Sequence, residues 1–132
     1  MKKTGFTLIE LLAVLVLIAI VALLIAPNII KTIDNSRKKT FIADVSGVVE
    51  AANNDSAKEN FQVSVYEING MLLTRATGEE VKLSGTDKLY GTISFDEMGK
   101  SIYAIHNNEW CATKTADKNQ MTVTEYHGTC EV

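Results

Sequence analysis

Glu10 is the residue whose placement most needs a chemical explanation. It is a lone carboxylate in Phe6–Ala26, a run of 21 residues that is otherwise apolar apart from Thr7. A carboxylate costs about 2.5–3.5 kcal/mol at the centre of a membrane helix and less near its end. Such a group requires a partner, yet no Lys or Arg lies between Lys3 and Lys31. The partner must come from outside the segment.

Other reactive side chains offer less. Cys111 and Cys130 have 18 residues between them, which is neither a Cys-x-x-Cys redox motif nor metal-ligand spacing. If this part of the chain is exported, a disulfide is the natural reading, worth about 3 kcal/mol in the chain-entropy account. Two free buried thiols are the alternative. His106 and His127, with Glu109 and Glu125, could be drawn as a metal set, but surface or sheet-face histidines are far commoner. Asp87, Asp96 and Asp117 do not follow a calcium-loop pattern. Gly78, Gly85, Gly91 and Gly99 read as turn glycines without phosphate-loop order. No Ser or Cys is visibly paired with a His. Neither an enzyme nor a cofactor is expected.

These residues sit in a chain of 132, enough for one domain. The 13 basic and 16 acidic side chains give no general argument for nucleic-acid binding. Pro27 is the single proline. About 75 residues remain for a compact head after the helical part, which is small for a self-sufficient core.

As a helix, Phe6–Ala26 would span roughly 32 Å, the thickness of a bilayer core. A cleaved secretory signal fits poorly, because Leu24-Ile25-Ala26 is followed by Pro27 and lacks a small residue three places before the cut. A soluble core helix fits no better, since the run has no polar face. A plain membrane anchor explains the length but leaves Glu10 without a purpose.

Gly5-Phe6-Thr7-Leu8-Ile9-Glu10 resembles the type IV prepilin cleavage and methylation motif. The resemblance covers Met1 to about Ile30, and Lys2 and Lys3 suit its basic leader. It implies a membrane-embedded aspartyl peptidase that cuts after Gly5 and methylates the new amine of Phe6. Glu10 would then neutralise the terminal amine of a neighbouring subunit. The physical logic agrees, because an amine and a carboxylate in an apolar bundle cost much less paired than alone. An acidic group in the first turn also suits the helix dipole. Pro27 resembles the proline that many major pilins carry at this depth, where a helix can kink because a backbone donor is missing. Ala19 departs from the mid-run glycine of many major pilins. Loss of Lys2 and Lys3 with the leader would leave 11 basic against 16 acidic side chains, a formal charge of −5.

Beyond Pro27, Ile29, Ile30, Ile33, Phe41, Val45, Val48 and Ala52 recur at helical spacing, with Ser46-Gly47 a mild interruption. This helix is expected to end between Asn53 and Lys58. Arg37-Lys38-Lys39 reads as a solvated helix face, too short and too poor in aromatics for a nucleic-acid site. Strands are expected at Phe61–Tyr66, Met71–Leu73, Val81–Leu83, Tyr90–Phe95, Ser101–Ile105, Trp110–Thr113 and Met121–Tyr126, with turns at Asn69-Gly70 and Asp96–Gly99. The fold class is α+β: a long helix, apolar then amphipathic, packed on a small antiparallel sheet. The expected organisation is a leader over 1–5, a transmembrane or filament-core helix over 6–26, an amphipathic helix over 27–58 and a β-sheet head over 59–132. A C-terminal disulfide loop, Cys111 to Cys130, is also what the resemblance implies.

The resemblance implies a structural subunit of a type IV pilus or related surface filament. Its partners would be other pilins, the prepilin peptidase, a plasma-membrane assembly platform and, before assembly, the membrane itself. It would be single-pass at first and extracellular after assembly. Lys31, Arg37, Lys38 and Lys39 beyond the apolar run count against export on the positive-inside rule. A pseudopilin of type II secretion or a DNA-uptake pilin shares the same N-terminus, and nucleic acid enters only through that last role. An uncleaved, membrane-anchored binding domain is the reading from another class.

Overall fold

The computed structural model describes residues 2–60, 65–85 and 88–132. Among these residues one long helix, α1 (Leu8–Lys58), precedes seven strands. These are β1 (Val65–Gly70), β2 (Leu72–Arg75), β3 (Glu80–Lys82), β4 (Leu89–Phe95), β5 (Ser101–His106), β6 (Trp110–Lys114) and β7 (Thr122–Glu125). The chain divides into two compact units, Met1–Arg37 and Lys38–Val132.

The first unit is helical from Leu8 and has no buried side chain among its described residues. Every large apolar side chain from Phe6 to Ile25 is at least 46% exposed. A contiguous apolar surface of this kind is not sustained in water by an ordinary monomer. The helix is long and apolar enough to cross a membrane, with a mean hydropathy of 3.3 over its most apolar window. Pro27 lies inside α1, and the helical assignment does not break there. Proline has no N–H, so the carbonyl of Leu23 loses its intrahelical donor. Thr32 Oγ1 donates to the carbonyl of Asn28 at 2.9 Å, one turn further on.

The second unit is built where the helix becomes amphipathic. Phe41, Val45, Val48, Ala52 and Ser56 are its buried positions in α1, recurring every three or four residues as one helix face requires. Ser46-Gly47 does not interrupt the helix; Ser46 Oγ donates back to the carbonyl of Ile42 at 2.8 Å. The helix stops at Lys58, and Asn60 takes a left-handed φ of 52° just beyond it.

All seven strands join one antiparallel sheet in the order β3-β2-β1-β4-β5-β6-β7. Hairpins link most neighbours in sequence. β1 and β2 meet through Gly70 and Met71, with Asn69 opposite Leu72 and Gly70 at φ 68°. A two-residue hairpin turn needs that positive φ. β4 pairs with β1 rather than β3, so the β1–β3 meander forms one half of the sheet and β4–β7 the other.

Register decides which side chains meet the helix. One transverse row runs Leu73, Ile68, Gly91, Ile105 and Ala112; the next runs Arg75, Tyr66, Ile93, Tyr103 and Lys114. Their apolar members join Phe41, Val45, Val48 and Ala52 in one core. Tyr66 meets Phe95 edge-on, with ring centroids 6.1 Å apart.

The architecture is the α+β helix-plus-sheet arrangement expected from the sequence. Phe61 to Ser64, the start of the first expected strand, lie outside the described residues; β1 runs from Val65 to Gly70. Gly91 corrects the expectation that it is a turn glycine. It sits in the middle of β4 with φ 144°. A Cβ there would lie 2.0 Å from the backbone oxygen of Ala104, so the neighbouring strand leaves no room for a side chain.

Candidate functional site

The segment expected to carry processing and assembly lies at the start of α1. Gly5 and Phe6 precede the helix and are exposed, as is Glu10. Nothing approaches Gly5 within 4 Å of where a Cβ would be, so the backbone around it is open.

Thr7 is the N-cap. The Leu11 N–H donates to its carbonyl at 3.1 Å, the first intrahelical bond. The Glu10 N–H donates to Thr7 Oγ1 at 3.3 Å, and the Thr7 N–H donates to Glu10 Oε2 at 2.9 Å. This is a reciprocal capping box: a threonine and a glutamate three residues apart satisfy two donors that the helix start would otherwise leave unpaired. In an apolar surrounding those orphan donors would be costly, so the box matters more here than on a soluble helix.

The same bonds bear on the chemistry of Glu10. Its carboxylate is oriented by its own backbone through Oε2. A carboxylate accepts about four hydrogen bonds, so Oε1 keeps its capacity for an amine. Thr7 is the functional residue missed in reading the sequence. Its signal was visible, because Thr-x-x-Glu before an apolar run is the sequence form of a capping box.

The remaining side chains singled out by type are dispersed over the second unit. Cys111 and Cys130 are bonded to each other. The bridge holds the segment after β7 against the outer face of the sheet, where Cys130 Sγ lies 3.5 Å from the carbonyl of Ile105. His106 is sandwiched there, with Tyr126 stacked at 4.2 Å and Tyr90 at 5.8 Å between ring centroids. Burial holds its pKa below the ordinary histidine value. His127 is exposed and faces Glu125, with Nε2 to Oε2 at 4.0 Å. Asp96 Oδ1 accepts from the N–H of Met98 at 3.0 Å and of Lys100 at 2.8 Å, so it shapes the β4–β5 turn. Asp87 lies outside the described residues. Of the cluster Arg37-Lys38-Lys39, Lys38 places its Nζ 5.2 Å from the ring centroid of Trp110, where a cation–π contact joins helix to sheet.

The strongest polar cluster of the second unit is structural. Arg75 grips Asp55 with two bonds, Nε to Oδ2 at 2.7 Å and Nη2 to Oδ1 at 2.6 Å, and Tyr66 Oη donates to the same Oδ2 at 3.0 Å. Arg75 also donates to Glu79. The guanidinium beside it holds the Asp55 carboxyl below its usual range. Desolvation, then the nearby Asp55 carboxylate, pushes the Tyr66 phenol up to about 12. The cluster ties the last turns of α1 to β1 and β2.

Residues 1–26 match the family model described as the prokaryotic N-terminal methylation motif. This is the leader motif of type IV pilins and pseudopilins, and here it spans the capping box and most of the apolar run. No curated protein and no solved structure matches the chain.

Proposed function

We propose, from the methylation motif carried by residues 1–26, that this chain is a structural subunit of a type IV pilus or a related surface filament. The precursor sits in the plasma membrane through Phe6–Ala26. Prepilin peptidase removes residues 1–5, cutting between Gly5 and Phe6, and methylates the amine of Phe6. At the membrane assembly platform the apolar helix leaves lipid for a bundle of other subunits. There Glu10 Oε1 receives the Phe6 amine of a neighbour while Oε2 keeps its bond to Thr7. Pro27 provides a point at which the helix can bend. The sheet domain, stapled through Cys111–Cys130, faces solvent. The observation that carries this reading is the methylation motif over residues 1–26, whose Gly5-Phe6 link is open directly before the capped start of the apolar helix. The motif points to a structural subunit and not to an enzyme. A pseudopilin of a secretion system or a DNA-uptake pilin uses the same motif and the same steps.

One observation favours a second reading, an uncleaved membrane-anchored binding domain. The capping box gives Glu10 a use within its own helix, so the carboxylate does not by itself demand a neighbour. Two substitutions separate the readings. Gln at N3 preserves a capping box but has no charge. Under the filament reading, both Glu10→Gln and Glu10→Ala lose incorporation into filaments. Under the anchor reading, Glu10→Gln is silent.

A further inference from the structure

Lys2 to Phe6 lie outside any helix or strand and are exposed, Phe6 by 89%. Among the described residues, hydrogen bonding begins at Thr7, whose N–H donates to Glu10 Oε2 at 2.9 Å. That N–H belongs to the Phe6–Thr7 peptide, and a peptide unit is planar. The bond to Glu10 therefore fixes the plane on one side of the Phe6 Cα. The Gly5–Phe6 link is the peptide on the other side of the same Cα. Only the φ and ψ of Phe6 separate it from the fixed plane. The Thr7 side chain closes the box from its own end, because Oγ1 accepts from the Glu10 N–H at 3.3 Å. Without an oxygen there, half of the box is lost and the first turn frays.

Removal of the leader is a hydrolysis. Water adds to the Gly5 carbonyl carbon, and the C–N bond to Phe6 breaks. Gly5 leaves as a carboxylic acid, and the Phe6 nitrogen takes up a proton as the new amine. A peptidase must hold this bond in one geometry against its water and its carboxylates. A loose segment loses conformational freedom when it is held in that way. A segment already fixed next to the reacting bond loses less, so more of the binding energy reaches the reaction. The open backbone at Gly5 leaves the carbonyl accessible on the other side.

We propose that Thr7 is a positioning residue for leader removal. Its cap holds the Phe6–Thr7 peptide, and through it the Gly5–Phe6 bond, at a set place ahead of the helix. The inference deepens the filament reading and rests on it. What counts at position 7 is a capping oxygen, not the threonine side chain as such.

The test follows conversion of the full-length precursor to the shortened chain, by mass, in native membranes that contain prepilin peptidase. The wild type is compared with a capping series at position 7. Thr7→Val keeps the shape of the side chain but removes the oxygen, and Thr7→Ala removes both. Each should slow conversion about fivefold, the factor that one N-cap is worth. Thr7→Ser and Thr7→Asn supply a capping oxygen from side chains of different shape and should regain the wild-type rate. Resistance of Cys111 and Cys130 to alkylation in the same material reports that the sheet domain of each variant has folded. Conversion of Thr7→Val and Thr7→Ala at the wild-type rate overturns the inference and leaves the filament reading standing. Slow conversion of Thr7→Asn also overturns it, because the peptidase would then be reading the threonine itself. A wild-type precursor that is never shortened overturns the filament reading and the inference together.

Discussion

The Thr7 N–H donates to Glu10 Oε2 at 2.9 Å, and the Glu10 N–H returns a bond to Thr7 Oγ1 at 3.3 Å. Residue 7 would be second in the processed chain, so the cap survives cleavage after Gly5. Replacing Thr7 by Ala should cost about 1 kcal/mol at the helix start, whereas Ser should be nearly silent. Amide exchange at Glu10, measured on the full chain in detergent, should quicken roughly fivefold in Thr7→Ala. Unchanged exchange would mean that the box does not hold the first turn.

The Asp55–Arg75–Tyr66 cluster should give the sheet domain a pH signature at both extremes. The folded pKa of Asp55 is depressed, so its contribution is present above the ordinary value of about 3.9 and is lost as pH falls below it. The Tyr66 pKa is raised, so its contribution is present below about 10 and is lost as pH rises towards about 12. Thermal unfolding followed across pH should show both losses. Asp55→Asn should flatten the acid limb. Arg75→Gln should lower the melting temperature at neutral pH, because it leaves a half-buried carboxylate without its bidentate partner.

Gly91 tests the register of the sheet. An alanine Cβ there falls 2.0 Å from the Ala104 oxygen and adopts a φ of 144° that L side chains avoid. Backbone strain and displaced strands together should cost at least about 3 kcal/mol. Gly91→Ala should accumulate as unfolded or degraded protein, whereas Gly78→Ala, at an open turn, should be milder. Equal behaviour of the two would contradict the pairing of β4 with β5.

The bridge between Cys111 and Cys130, 19 positions apart, should contribute about 3 kcal/mol. Replacing both cysteines by Ser should lower the melting temperature by about that equivalent. It should also free the segment that stacks Tyr126 on His106, visible as a shifted His106 ring resonance. A ring environment that stays the same would mean that the stack holds without the bridge.

Legibility of this chain follows the range of the forces involved. Apolar periodicity located α1 and its stop near Lys58, because Phe41, Val45, Val48 and Ala52 mark one face within a few turns. The hairpin β4–β5 was readable from alternation and the Asp96–Gly99 turn. Gly91 was not, since its reason is the backbone of Ala104 on the next strand. The pairing of β4 with β1 was hidden for the same reason. Arg75 and Asp55 are 20 positions apart and meet only once the sheet closes on the helix. Thr7 differs: its partner is three residues away, and its signal was local.

The measurement that bears most directly on the central claim is the mass of the N-terminal peptide of the protein recovered from the cell surface. The filament account predicts a chain that begins at Phe6 with a methylated amine. Surface protein that retains Met1 to Gly5 throughout would contradict it and leave the anchored domain in its place.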